Sequence, residues 1–126
     1  MKKTILLIDD DKDELLVLKD ALNKIPGLYH CEQASSSDEA SSMLRMDRPD
    51  YILIDFNLPV INGLQLLTKL KKDRRLKDIP VFIYSTMIND QTTMEARLLG
   101  AAGCIQKQVT IAETANELNK IFISTD

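Results

Sequence analysis

Four short hydrophobic runs each lead into a residue able to do chemistry. Ile5-Leu6-Leu7-Ile8 meets Asp9, Asp10 and Asp11; Tyr51-Ile52-Leu53-Ile54 meets Asp55; Val81-Phe82-Ile83-Tyr84 meets Ser85 and Thr86; Cys104-Ile105-Gln106 meets Lys107. Carboxylates, a hydroxyl and an ammonium together can hold a divalent cation and a phosphoryl group. Asp55 follows a continuously apolar run with no turn glycine beside it, and a partly desolvated carboxylate there needs compensation. Mg²⁺ suits such a cluster, because it prefers oxygen ligands and keeps waters beside phosphate. The carbonyl of Asn57 offers one more ligand. An ionised carboxylate can act as a nucleophile and become an aspartyl phosphate. The cation and Lys107 would neutralise charge on the transferring oxygens, and the Ser85 hydroxyl could donate to another. Singly, each residue has a plainer reading. Aspartates favour strand ends and helix N-caps, a serine can end a strand, and a lysine after an edge strand can be merely solvated. Their recurrence after successive runs favours a shared site.

These groups meet only if the runs are neighbouring parallel strands, whose carboxyl ends share the edge where open α/β sheets keep their sites. The chain supplies the elements. Strands are expected at 3–8, 29–34, 51–54, 81–84 and 104–106. Between them, Leu15, Leu18, Leu22 and Ile25 recur at helical spacing, with Asp11 or Asp13 as cap and Pro26-Gly27 as stop. Ser36 and Glu39 have capping-box spacing and open a helix carrying Ala40, Met43 and Leu44 that stops before Pro49. A helix over 62–72 buries Leu64, Leu67 and Leu70 or their neighbours, and 71–78 reads as exposed helix end and loop. A helix over 90–99 is stopped by Gly100 or Gly103, and the last, over 109–122, carries Ile111, Ala115, Leu118 and Phe122 on one stripe. Alternating strands and helices imply right-handed crossovers and a parallel sheet. Gly63 reads as a place of close backbone approach; Phe82, Met87, Met94 and Leu98 read as core or interface residues.

The 126 residues suffice for one domain, 1–126, with a sizeable core. A net charge of -3 disfavours general nucleic-acid binding. Cys31 and Cys104 have no metal-binding spacing and suit a reducing compartment. The apolar run 5–8 meets aspartates too soon for a signal peptide, and nothing approaches a membrane span, so a cytoplasmic protein is expected. No Gly-rich phosphate loop is present. His30, the only histidine, lies at a strand start and is expected to have a structural or surface role.

On these residues the chain resembles the receiver domains of two-component response regulators. The segments that carry the likeness are 5–11, 51–59 with Asn62-Gly63, 80–85, and 100–107. The resemblance covers essentially the whole chain. It implies a flavodoxin-like doubly wound five-stranded sheet, order 2-1-3-4-5, with helices on both faces. It also implies phosphorylation of Asp55 by a phosphohistidine donor, with Mg²⁺ held directly by Asp10 and Asp55 and the Asn57 carbonyl, and by Asp9 mostly through water. Ser85 takes the switch-hydroxyl position and Lys107 the family's lysine role. Implied partners are a sensor histidine kinase or phosphotransfer protein upstream and an effector protein downstream, without direct DNA contact, because 126 residues leave almost no linker or effector. Three positions depart from the pattern: Thr86 follows the switch hydroxyl where a small residue is usual, Gln108 replaces a proline after the lysine, and Cys104 stands where an aromatic is frequent. Two other readings use the same residues: an aspartate-based phosphatase with Asp9 or Asp11 as nucleophile, and a receiver-like interaction module that is not phosphorylated.

Overall fold

The computed structural model describes residues 2–125, with side-chain surroundings through 122. Strands and helices alternate as β1 (Lys2–Ile8), α1 (Asp13–Leu22), β2 (Leu28–Ala34), α2 (Ser37–Met46), β3 (Tyr51–Ile54), α3 (Gly63–Lys72), β4 (Val81–Ser85), α4 (Asp90–Leu98), β5 (Gly103–Gln106) and α5 (Ile111–Thr125). The strands form one sheet in the order β2-β1-β3-β4-β5, and every neighbouring pair is parallel. This is the flavodoxin-like arrangement that the resemblance implies.

Period-two alternation along the strands builds a core on each face. Leu6, Ile8, Ile52, Ile54, Val81 and Ile83 face one side and pack against Ala40 and Leu44 of α2, Leu66, Leu67 and Leu70 of α3, and Ala96 of α4. Ile5, Leu7, Tyr51, Leu53, Phe82 and Tyr84 face the other and meet Leu18, Ala21 and Leu22 of α1 and Ala115, Leu118 and Phe122 of α5. All of β3 is buried, which is why its sequence is continuously apolar rather than alternating. The order 2-1-3 means that the chain leaves β1 toward one side of the sheet and leaves β3 toward the other. Their carboxyl ends therefore flank a crevice, the topological switch point where ligands of such sheets bind.

The helix ends refine the sequence expectations. α1 stops at Leu22, before Pro26-Gly27, in a tightened turn where Lys24 N–H donates to Ala21 and Ile25 N–H to Leu22. Its N-cap residue, Lys12, makes no side-chain cap; Asp11, one place earlier, accepts from the Asp13 N–H at 3.0 Å. Ser36 caps α2 through the Glu39 N–H, but the Glu39 carboxylate reaches back to the Ser35 N–H rather than to Ser36. α5 begins at Ile111 because Thr110 exchanges hydrogen bonds with Glu113, leaving Val109 exposed. α4 is stopped by Gly100, not Gly103. Gly100 sits at φ +107°, its N–H donates to Arg97 and the Ala101 N–H donates to Ala96, a Schellman closure. The segment after α3 is less exposed than expected: Leu76 and Ile79 are buried, and Lys71 Nζ turns in to donate to the carbonyls of Lys77 and Ile79, both at 2.9 Å. Among the described residues no helix is long and apolar enough to cross a membrane.

Gly63 is placed where the sequence reading put it. A Cβ there would lie 2.6 Å from the Asp55 carbonyl oxygen and 3.0 Å from Phe56 Cα. The start of α3 thus rests directly on the backbone that carries Asp55, and Gly63 N–H donates to Phe56 O at 2.8 Å. Gly63→Ala should cost about 1–3 kcal/mol, the usual range for overpacking, because the obstacle is backbone and cannot rotate away. Urea unfolding checks this; unchanged stability would mean that α3 can lift without loss.

Candidate functional site

Register brings the acidic residues together. Ile8 lies beside Ile54, so Asp9 and Asp55 leave adjacent strands side by side. Asp55 N–H donates to Ile8 O at 2.9 Å and Asp9 N–H to Ala34 O at 3.0 Å. Asp9 is fully buried, Asp55 is 8% exposed, and Asp10 is exposed. One carboxylate oxygen from each of Asp9, Asp10 and Asp55 lies within 4.8 Å of the others. Such an all-oxygen set, part buried and part open to water, fits Mg²⁺. Asn57 lies two residues beyond Asp55, and its N–H donates to Asp55 Oδ1 at 3.4 Å.

Lys107 enters from the other side. Its ammonium is 2.7 Å from Asp9 Oδ2, 3.7 Å from Glu14 Oε1 and 3.9 Å from Asp55 Oδ1. It also lies 5.2 Å from the centroid of the Tyr84 ring, within cation–π range. Its position follows from β4: Ser85 pairs with Gln106, and the Lys107 N–H donates to Ser85 O at 2.8 Å. Ser85 itself is buried at the end of β4, two residues past Ile83, which pairs with Ile54 of β3. The departures from the family pattern lie nearby. Thr86 is exposed and its carbonyl accepts from the Gln106 side chain. Gln108 folds back to donate to Gln106 O. Cys104 is half-buried beneath α4, where burial pushes its thiol up against the opposing effects of Thr93 and Arg97. His30 is exposed on edge strand β2, 3.1 Å from Glu32, and pairs with Thr4, well back from the carboxyl edge.

Three contributors escaped the sequence reading. Glu14, in the first turn of α1, is the third carboxylate around Lys107; no spacing along the chain signalled it. Gln33 donates from one amide nitrogen to the carbonyls of Asp9 and Asp11, at 2.7 and 2.8 Å. Val60 has φ 72° and the Ile61 N–H donates to Pro59 O, a γ-turn of the strained hand. That β-branched residue is 99% exposed in the loop leading from Asp55 into α3, and strain of this kind clusters at functional sites.

The electrostatics follow from burial. Burial raises the Asp55 carboxyl above its ordinary value; Lys107 opposes this, Asp9 and Asp10 add to it, and the Asn57 N–H opposes it. Burial likewise raises Glu14. For Lys107 burial acts to lower the value, but the hydrogen bond to Asp9 and the charges of Asp9, Asp55 and Glu14 outweigh it, so the net shift is upward. Lys107 therefore stays an ammonium throughout the neutral range.

The sequence profile of the response regulator receiver domain matches residues 5–119. The chain is 30% identical over 118 residues to chemotaxis protein CheY-3 of Vibrio cholerae, spanning 94% of this chain and 90% of that protein. It is 28% identical over 123 residues to the phosphate regulon transcriptional regulatory protein PhoB of Pseudomonas aeruginosa, spanning 98% of this chain and 53% of that longer protein. The solved structure of the phosphorylated cyanobacterial phytochrome response regulator RcpA superposes with a TM-score of 0.85 at 29% identity, covering 100% of this chain and 97% of that one. The Mn(2+)-bound form of response regulator Rcp1 shares the fold with a TM-score of 0.80 at 24% identity, over 94% of this chain and 91% of that one. A doubly wound sheet with a carboxylate cluster and a lysine at its switch point defines the class. The chain belongs to the response regulator receiver domain family of two-component signalling.

The raised Asp55 carboxyl carries a stability prediction. A carboxyl raised in the fold binds its proton more tightly there than in the unfolded chain. Folding stability therefore falls as pH rises from the ordinary aspartate value through the raised one. Above that window the ionised form is a net cost. Asp55→Asn keeps the shape without the charge, so in EDTA at neutral pH its Tm should exceed that of the wild type. The difference should narrow at a pH low enough to protonate Asp55 in both states. Calorimetry checks this; a lower Tm for the variant at neutral pH would show that ionised Asp55 stabilises the fold through Lys107.

Proposed function

We propose that Asp55 accepts a phosphoryl group from a phosphohistidine of a sensor histidine kinase or phosphotransfer protein, in a Mg²⁺-dependent reaction, and that the phosphorylated chain signals through contact with an effector protein. The observation that carries this is the placement of the Lys107 ammonium between Asp9 and Asp55, inside the carboxylate cluster at the switch point. An Asp55 carboxylate oxygen attacks phosphorus. The P–O bond forms as the P–N bond breaks, and the leaving ring nitrogen keeps the bonding pair and takes up a proton. Asp10 and Asp55, with the Asn57 carbonyl, would hold Mg²⁺ directly, and Asp9 mostly through water. Bound Mg²⁺ offsets charge on the phosphoryl oxygens. Lys107 is already 3.9 Å from Asp55 Oδ1 and needs only a small shift to pair with an oxygen of the transferred group. Ser85, at the end of the neighbouring strand, donates its hydroxyl to another. These two contacts pull on the ends of β4 and β5 and bias the domain between two conformations. The effector surface this reaches includes α4, whose Met94 and Leu98 are 64% and 81% exposed.

The module is a phosphoacceptor rather than a conventional enzyme; any turnover is hydrolysis of its own acyl phosphate. The phosphatase reading is disfavoured by geometry. Asp9 is fully buried and engaged by Lys107 and by the Asp11 N–H, while the Asp11 carboxylate accepts from the Asp13 N–H.

Incubation with Mg²⁺ and acetyl phosphate, or with a phosphorylated histidine kinase, should add one phosphoryl group by intact mass, and Asp55→Asn should lose it. Equal labelling of that variant would move the acceptor elsewhere. An unlabelled wild type that still binds its partners would favour the interaction module, and multiple turnover on a small phosphate ester the phosphatase. Asp10→Ala should weaken Mg²⁺ binding and slow labelling by about a hundredfold, the scale of losing one charge-stabilising group. Unchanged Mg²⁺ affinity in titration calorimetry would rule out direct contact with Asp10.

A further inference from the structure

We infer that Gln33 is a positioning residue for the cation site: it clamps the backbone on both sides of Asp10 and so sets how tightly the carboxylate cluster holds Mg²⁺. The inference rests on the reading that Asp9, Asp10 and Asp55 form that site. Gln33 lies on β2 opposite Leu7, on the strand that pairs with β1 along the edge away from Asp55. The sheet ladder between these strands ends where Asp9 N–H donates to Ala34 O at 3.0 Å. Beyond that bond the chain must turn from β1 into α1, and Asp10 sits on this turn. Gln33 Nε2 donates to Asp9 O at 2.7 Å and to Asp11 O at 2.8 Å. Two carbonyl oxygens can be met only by donors, so the atom between them is the amide NH₂, with one hydrogen for each. The carbonyls it holds belong to the residues immediately before and after Asp10. A third bond, from Asp11 N–H to Asp9 Oδ1 at 2.9 Å, closes the same turn from within.

The need for such a clamp follows from burial. Asp9 and Asp55 are enclosed and their carboxylates are placed by packing and by Lys107. Asp10 is the exposed member of the three, so its carboxylate is located chiefly by its own backbone. Few side chains could replace Gln33. Asparagine is one methylene shorter, glutamate presents acceptors to acceptors, and methionine keeps the length but has no donor. Partners outside the ligand set that orient ligands commonly matter about tenfold or more in metal affinity.

Gln33→Met and Gln33→Glu test the role, with MgCl₂ titrated into each folded protein by calorimetry. Thermal unfolding in EDTA is measured in parallel. Both variants should bind Mg²⁺ about tenfold more weakly than the wild type. Labelling by acetyl phosphate should show its largest deficit at low Mg²⁺, shrinking as Mg²⁺ is raised. A purely structural role would lower the Tm in EDTA and leave the Mg²⁺ affinity of the folded protein unchanged, and that result in both variants overturns the inference. Absence of Mg²⁺ binding by the wild type would instead overturn the cation site itself, and is read before any variant is compared.

Discussion

The buried Lys107–Asp9 ion pair is the contact on which the carboxyl edge of this sheet depends. A doubly wound fold places the ends of β1 and β3 beside each other, and here both ends carry carboxylates with little access to water. Desolvated like charges at this range cannot coexist without compensation. The 2.7 Å contact supplies it for Asp9, which is fully buried, and the same ammonium reaches Asp55 and Glu14 at greater distance. Lys107 itself is only 10% exposed, so removing either it or Asp9 would leave a charge in poor solvent. Its strand, β5, is short and lies at the sheet edge. The ion pair therefore ties this edge strand to the centre of the sheet as well as neutralising the crevice.

The same constraint explains the geometry around it. Asp55 must stay close to Asp9 while the loop over 55–62 folds back to start α3 against its backbone. The Gly63 contact, the Phe56–Gly63 hydrogen bond and the reciprocal Asn62–Gln65 capping box hold that turn. The strained γ-turn at Val60 lies within that loop; a residue at such φ costs on the order of 1–3 kcal/mol and persists only where its surroundings over-determine it. On the other flank, β2 serves the site only through Gln33 and the last ladder bond at Ala34. Strain and side-chain-to-backbone bonds thus concentrate where the ladder ends, because that is where backbone groups lose their regular partners.

What was legible in the sequence, and what was not, divides along this line. The strands were readable because burial on two faces requires unbroken apolar runs, and Tyr51–Ile54 is the clearest. Asp9, Asp10, Asp55 and Lys107 were readable as a group because each ends such a run, and the structure brings them together; Ser85 was found by the same rule and lies at the end of β4. Gly63 was readable because a glycine beside that loop more readily permits a close backbone approach than binds phosphate. Local chemistry decided the remainder. The Thr110–Glu113 hydrogen bonds set the start of α5 at Ile111 rather than at Val109, and the close of α1 at Leu22 depends on a turn that no single residue announces. Glu14 and Gln33 matter through contacts made across elements, which spacing along one element does not reveal. Lys71 looked like part of a solvated charge run, yet it holds two carbonyls and packs against the Gly100 backbone at α4's end.

The charge count of the crevice gives the reading its order of events. Four carboxylates, those of Asp9, Asp10, Glu14 and Asp55, face one ammonium. An anionic phosphodonor approaching that pocket meets a negative potential concentrated by low-dielectric walls, and Lys107 alone cannot cancel it. Phosphorylation would then replace the single charge of Asp55 with the larger charge of an acyl phosphate in the same confined space. On the proposed function, both steps would be favoured by further positive charge already present beside Asp10. The exposure of Asp10 gives a cation a route from solvent to a site whose other two carboxylates are enclosed. On the proposed function, such a pocket would bind cation before donor, and Lys107 would follow the negative charge as it moves from carboxylate to phosphoryl oxygen.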